Sequence, residues 1–204
     1  INLHETVTER KLLRVIAKLN RDRKVQGFLI QLPLPKQINE EKVKLAVDPK
    51  KDIDGFHPLN NKCFAATPTG IVKYLTDQQF DFDGKNAVII GRSSIVGKPA
   101  HQLLLNKNMN VIMLHTHTSE VDKKFYLTHA DLIIVATGRP NTLTKDYKLK
   151  KSAVVFDVGI NVMQDGHLCG DCEKDLAVEF QSPVPGGCGL LTRVAIIENL
   201  ILKD

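Results

Sequence analysis

Three groups of residues in this sequence have types and spacing suited to chemistry. The first is Gly91-Arg-Ser-Ser-Ile-Val-Gly97, between the apolar run Ala87-Val-Ile-Ile90 and a helical stretch from about Pro99 to Leu105. Gly91 permits a tight turn at a strand end. The following helix offers unpaired N–H groups and the positive end of its dipole, the setting in which a pyrophosphate binds. The spacing is not G-x-G-x-x-G, because Ser93 stands where the second glycine would be, so the loop alone fits an ordinary strand-to-helix connection equally well. The next apolar run, Val111-Ile-Met-Leu114, sharpens the reading. NAD enzymes usually end this strand in a carboxylate that binds the ribose 2′-hydroxyl. Here it is followed by His115-Thr-His-Thr118, with no Asp or Glu. A 2′-phosphate would be repelled by a carboxylate and attracted by Arg92, Ser93, Thr116 and His117. The residues therefore favour NADP, with NAD as the alternative. Singly, His115 and His117 fit surface or core imidazoles better than a ligand role.

The second group comprises three Gly/Pro-rich segments: Gln31-Leu-Pro-Leu-Pro35, Asp52-Ile-Asp-Gly-Phe-His-Pro58 and Pro183-Val-Pro-Gly-Gly-Cys-Gly189. Pro and Gly fix backbone shapes in which carbonyls and N–H groups can face a ligand. Gln31 would present an amide at the carboxyl edge of a strand, where α/β sites lie. Asp52 and Asp54 fit turn formers or helix caps. The third group is Cys169-Gly-Asp-Cys172. A structural zinc needs four ligands, usually two such pairs, and no second pair exists. A redox CxxC opens a helix after a strand, whereas this one follows the turn-like Gln164-Asp-Gly166. We read the pair as coincidental spacing, with no metal and with reduced thiols.

The elements that must position these groups follow from periodicity. Val7 to Leu19 has apolar residues at Leu12, Val15, Ile16 and Leu19, a helical period, with Thr6 or Thr8 as cap. Val25 to Ile30 reads as a strand, Asn39 to Val47 as a short helix capped by Asn39, and Pro49 to Thr67 as an irregular connection. Pro68 to Leu75 reads as a helix with Pro in its first turn. Asp83-Gly84 is a turn. Strands are expected at 87–90, 111–114, 131–135 and 153–156, with helices near 119–127 and from Thr192 to Leu202. The strands are continuous apolar runs, the pattern of a sheet buried on both faces. Alternating strands and helices define an α/β protein with a doubly wound, Rossmann-type parallel sheet, preceded by part of a smaller α/β lobe. The expected boundaries are 1–66 for that lobe, 67–187 for the dinucleotide domain and 188–204 for a closing helix that packs back on the lobe.

Bulk properties exclude more than they assign. The 204 residues are 43% hydrophobic and 25% charged, ordinary for a globular chain with one large or two small domains. The formal net charge of +5 suits an anionic small molecule. No Lys/Arg block interleaves with aromatics, so nucleic acid is not expected; Lys50-Lys51 and Lys150-Lys151 read as solvated faces. No apolar run approaches the roughly 18 residues of a membrane span. Ile1-Asn2-Leu3-His4-Glu5 lacks an initiator Met and a signal pattern, and reads as the interior of a longer protein. A reducing, cytoplasmic setting is expected, with an organelle left open because the N-terminal segment is missing.

Taken together, these motifs resemble the methylene-tetrahydrofolate dehydrogenase/cyclohydrolase family nearly end to end. The resemblance rests on Val25-Gln-Gly-Phe-Leu-Ile-Gln-Leu-Pro-Leu-Pro35, Lys51-Asp-Ile-Asp-Gly-Phe-His-Pro58, Thr67-Pro68, Gly91 to Gly97, Asp157-Val-Gly-Ile-Asn161 and Pro183-Val-Pro-Gly-Gly187. It implies two lobes with a folate cleft between them, and usually a homodimer. It also implies two reactions at one site, NADP-dependent oxidation of methylene-tetrahydrofolate and hydrolysis of the methenyl product to formyl-tetrahydrofolate. By the same resemblance Gln31 and Asp54 are the catalytic-site residues, with Ile30, Leu32, Pro185, Gly186 and Gly187 beside the folate. Gly91, Arg92, Ser93, Thr116 and Ile160 match cofactor contacts. One carboxylate can accept the paired N–H donors of a pterin edge, which suits Asp54.

The family also uses a Tyr-x-x-x-Lys pair in a helix upstream of Ile1. Tyr147-Lys-Leu-Lys-Lys151 has that spacing but falls on the cofactor side, and is rejected as the pair. Smaller departures are Thr116 for the usual Ser, His117 for a common basic residue, Val162 for the usual Arg, Gly189-Leu-Leu-Thr192 for Gly-Pro-Met-Thr, and a shorter stretch from His57 to Thr67. Two other readings stay open on the sequence. One is a monofunctional dehydrogenase. The other is a non-catalytic dinucleotide-binding fragment or paralogue.

Overall fold

The computed structural model describes residues 1–60 and 62–201, and they divide into two compact units. The first comprises Ile1–Ala66 and the chain from Ile196 on; the second is Thr67–Ala195.

The first unit is built on two helices. Helix α1 (Glu9–Arg21) starts where Thr8 accepts a hydrogen bond from the Lys11 N–H, 3.3 Å. Helix α2 (Glu40–Ala46) starts where the Asn39 side chain accepts from the Lys42 N–H, 2.9 Å. Both caps satisfy donors the helix itself leaves unpaired. The helices bury Leu12 and Ile16 against Val43, with Ile38 and Val47 closing the core. The expected strand at Val25–Ile30 does not form. Only Phe28 pairs, in a parallel bridge to Asp52, with its N–H donating to the Lys51 carbonyl at 2.9 Å. A strand needs a ladder, and among the described residues no other strand lies beside this stretch. The connection after α2 is irregular, as its composition implies; Asn61 within it lies outside the described residues.

The second unit is a five-stranded, all-parallel sheet. Its strands are β1 (Asn86–Ile90), β2 (Asn110–Leu114), β3 (Leu132–Val135), β4 (Val154–Asp157) and β7 (Phe180–Gln181), ordered β2-β1-β3-β4-β7. Between β4 and β7 a two-stranded antiparallel hairpin, β5 (Asn161–Val162) with β6 (Leu168–Cys169), stands apart from the sheet. Side chains alternate faces along each strand. Ala87 and Ile89 share a core with Ile71 and Leu75 of α3 (Ala66–Asp77) and with Ala100 and Leu104 of α4 (Gly97–Leu105). Val88 and Ile90 share the other core with Leu127 of α5 (Glu120–His129), which Ser119 caps. Cover on both faces explains why the strands read as unbroken apolar runs.

The order also fixes where a ligand can sit. From β1 the chain steps through α4 to β2, then crosses back through α5 to β3 on the far side of β1. Such a reversal opens a crevice at the carboxyl ends of the strands, here between β1 and β3. The closing helix α6 (Cys188–Ile201) begins four residues before the expected Thr192, because Gly189 is tolerated in its first turn and Thr192 bonds back to the Cys188 carbonyl. The expected last residue of that helix, Leu202, lies outside the described residues. The hairpin and β7 have only two residues per strand, too short to show a period.

Candidate functional site

The crevice holds a cavity of about 560 Å³ at the ends of β1, β2 and β3. Gly91, Arg92, Ser93 and Thr116 all line it. Gly91 has φ +119°, which disfavours any other residue, and a Cβ there would overlap the Ala136 carbonyl oxygen. A Cβ on Gly97 would overlap the Gly91 carbonyl, so the loop and the start of α4 pack backbone on backbone. The Ser93 hydroxyl accepts from the N–H groups of Val96, 3.2 Å, and Gly97, 3.4 Å, and so takes the capping place that Val96 cannot fill. Among the described residues the N–H groups of Arg92, Ser93, Ser94 and Ile95 have no protein acceptor. Four adjacent donors beside an exposed guanidinium can receive an anion such as a phosphate.

Thr116 and His117 are exposed in the turn after β2, which is held by the His115 N–H donating to Thr118 (3.0 Å). No carboxylate stands at this strand end. One carboxylate does line the cavity further along, on α5. Glu120 accepts a hydrogen bond from the Tyr147 hydroxyl, 2.7 Å; burial, and then this bond, push that phenol up to about 12. Lys123 lies over the same ring, 4.7 Å from its centre. Tyr147 thus lines the same cavity as Gly91, Arg92, Ser93 and Thr116.

Ile160 is not in this cavity; it is 67% exposed in the loop between β4 and β5. Beneath that loop lie two buried carboxyls to which the sequence reading gave no role, although Asp157 opens the motif Asp157-Val-Gly-Ile-Asn161. Asp157, at the end of β4, accepts from the N–H groups of Gly159, Asp171 and Cys172 at 2.8–3.0 Å, and burial raises its pKa. Asp171 is fully buried. Two nearby glycines are a sequence signal for them, because each makes room for one of the carboxyls: a Cβ on Gly170 would overlap Asp157, and one on Gly159 would overlap Asp171. Cys172 is buried and bridges to Leu143, and burial drives its thiol further from ionisation. Pro185 and Gly186 are exposed in the turn before α6; Gly186 has φ +97°, and a Cβ on Gly187 would overlap the Pro183 carbonyl.

In the first unit, Asp52 and Asp54 have different roles. Asp52 is a buried turn former, accepting from the N–H groups of Asp54, Gly55 and His57 and from Asn60. Among the described residues the Asp54 carboxyl accepts no such bonds. It lines a narrow cleft with Ile30, Leu32, Lys44, Phe56 and His57. Burial, and then the neighbouring Asp52, raise its pKa to about 6, while Lys44 pulls it down. Lys44 is itself buried, ion-paired to Glu40 at 2.6 Å and set against the Phe56 ring at 5.6 Å. Sequence reading missed it because its neighbours mark it as one more charge on a helix. Gln31 is exposed, with its amide donating to the Leu32 carbonyl (3.1 Å), and lines an adjoining depression that also reaches Ile30.

A doubly wound sheet with a glycine turn at its switch point, free loop donors and no carboxylate after its second strand defines a dinucleotide-binding α/β protein. The particular family follows from comparison with known proteins. Residues 65–203 match the tetrahydrofolate dehydrogenase/cyclohydrolase NAD(P)-binding domain, and residues 1–54 match that family's catalytic domain. A bifunctional protein FolD of Streptococcus thermophilus is 46% identical over 210 residues, covering 98% of this chain and 73% of that relative. The crystal structure of the bifunctional FolD methylenetetrahydrofolate dehydrogenase/cyclohydrolase of Campylobacter jejuni superposes with a TM-score of 0.90 at 38% identity, covering 98% of this chain and 74% of that one. The Trypanosoma brucei dehydrogenase-cyclohydrolase, solved with NADP cofactor and an inhibitor, superposes with a TM-score of 0.91 at 27% identity, covering 100% and 74%. The chain belongs to the tetrahydrofolate dehydrogenase/cyclohydrolase family.

Proposed function

We propose the following division of labour for this chain, a methylenetetrahydrofolate dehydrogenase and methenyltetrahydrofolate cyclohydrolase of one-carbon metabolism. The observation that carries it is the β1–β3 crevice, with its free loop donors and its carboxylate-free β2 end. NADP, when bound, supplies the acceptor for the hydride of 5,10-methylene-tetrahydrofolate. Loop N–H groups from Arg92 to Ile95 hold the pyrophosphate, Gly91 and Gly97 let the backbone approach it, and Arg92, Ser93 and Thr116 receive the 2′-phosphate. Ile160 offers backbone to the cofactor from the loop after β4.

Asp54 grips the pterin edge as a carboxylate accepting two N–H groups, with Ile30 and Leu32 as apolar walls and Gln31 as an amide that orients the reacting end. Pro185, Gly186 and Gly187 are substrate contacts of the second unit. Hydrolysis then adds water to the methenyl carbon and opens one C–N bond, leaving the formyl product. The functional assembly is a homodimer. Its support is the β5–β6 hairpin, whose Val162 is 73% exposed beside exposed Met163 and Leu168, an apolar surface of the kind that marks an interface.

The test is turnover of 5,10-methylene-tetrahydrofolate by the natural protein with and without Asp54→Ala. The variant is expected to lose NADPH formation while keeping its dinucleotide affinity. Normal turnover in the variant would remove Asp54 from the folate site.

A further inference from the structure

Lys44 is used by none of the assignments above, yet it is buried on α2. Its ammonium is ion-paired to Glu40 at 2.6 Å and to Glu41 at 3.4 Å, both one turn back on the same helix. It lies 5.6 Å from the centre of the Phe56 ring, and the side chain lines the narrow cleft that Asp54 lines. Pairs one turn apart on a helix form equally well in water, so they give no reason to bury a lysine. Burying an ammonium is costly unless the interior offers it something in return. What this interior offers is Asp54.

Asp54 has the complementary need. Burial and the neighbouring Asp52 both favour its protonated form. The pterin reading requires the carboxylate, because a protonated acid would turn a hydrogen toward one of the two N–H donors it must accept. Few charged or titratable groups face it. From its own segment they are Asp52 and His57, whose Nδ1 accepts from the Leu59 N–H at 3.1 Å. From α2 it is Lys44, with Glu40 and Glu41 behind the ammonium. Phe28, Ile30 and Leu32 complete the walls without charge. Among the described residues Lys44 is the only Lys or Arg that lines the cleft. The side chains of Glu40 and Glu41 are 41% and 72% exposed, so water screens them more than it screens the buried ammonium.

We propose that Lys44 is a positioning residue of the folate site: its buried ammonium, held by Glu40 and Glu41, is the counter-charge that keeps Asp54 a carboxylate for the pterin. This rests on the reading of Asp54 as the pterin contact. A lysine kept only to support α2 would act on stability at every pH. A counter-charge acts on substrate binding, and chiefly where Asp54 titrates.

The experiment is the pH profile of KM for 5,10-methylene-tetrahydrofolate, at saturating NADP, for the natural protein and for Lys44→Met. An opposite charge nearby moves the titration of a carboxyl by about one pH unit or more. Lys44→Met should therefore raise KM about fivefold near pH 6 and by less than about twofold near pH 8.5, with the loss falling on KM rather than kcat. Lys44→Arg, which keeps the charge, should restore the unaltered profile. An equal rise at both pH values, a loss confined to kcat, or an unchanged profile would overturn the proposal. If Lys44→Met does not fold, Glu40→Gln, at a half-exposed position, decides the matter. Removing the ammonium's other partner should lower KM near pH 6 by up to about twofold, and a KM that stays or rises there would overturn the proposal. Asp54→Asn separates this role from the reading beneath it. If that variant turns over substrate normally, the pterin reading falls and the role of Lys44 with it. If it is impaired while Lys44→Met keeps the unaltered profile, only the role of Lys44 falls.

Discussion

At the scale of single residues, charge decides most of what this site can bind. Arg92 is the one cation in the loop that precedes α4, and the β2 end offers it no competing carboxylate. Arg92→Ala should therefore weaken NADP by about tenfold or more, the worth of one charge-assisted phosphate contact, and weaken NAD much less. Equal losses in parallel titrations would remove the 2′-phosphate role. Asp54 carries the opposite kind of information. Its carboxyl titrates near about 6 in the fold, above the roughly 3.9 of a free Asp. Between those values the folded protein holds a proton that the unfolded chain has lost, so this group's contribution to stability falls as pH rises through that window. Asp54→Asn should stabilise the protein above pH 6 by an amount on the order of 1–2 kcal/mol, discounted for its partial exposure, and by nothing near pH 4. Thermal unfolding at both pH values checks this. A gain of equal size at pH 4 would mean that burial of charge is not the cause.

At the scale of elements, the sequence was most informative where a side chain acts locally. Thr8 and Asn39 cap the helices that follow them, and the apolar runs at β1, β3 and β4 are strands, because caps and unbroken apolar runs are written in neighbouring residues. It misled at Val25–Ile30, whose strand-like composition has no partner ladder among the described residues. It gave no role to Asp157 or Asp171, since nothing in a sequence shows that the carboxyl of one accepts from the backbone N–H of the other, 14 residues away. The candidate site divides in the same way. The loop chemistry of Gly91 to Gly97 was legible because glycine spacing and backbone geometry are linked, whereas the different roles of Asp52 and Asp54 depend on which oxygen meets which N–H. The contact of α4 with its loop gives a prediction at this scale. Gly97→Ala puts a methyl into the Gly91 carbonyl, so the helix start must shift. A loss of about 1–3 kcal/mol is expected, seen as a fall in Tm of several degrees together with weaker NADP binding. An unchanged Tm with unchanged binding would show that this close approach is not needed.

For the whole molecule, the chain spans about three quarters of the length of the relatives it matches, and 73% of the first of them. Among its described residues no helix is long and apolar enough to cross a membrane. The exposed hairpin residues Val162, Met163 and Leu168 predict self-association. Sedimentation should find a dimer that Val162→Asp converts to monomer; a dimer untouched by that change would move the interface elsewhere. The central claim remains the choice of cofactor, because both the loop donors and the bare β2 end were read as a site for NADP. Titration of the unaltered chain with NADP and with NAD tests it most directly. The account predicts that NADP binds at least about tenfold more tightly. Equal affinities, or a preference for NAD, would contradict it.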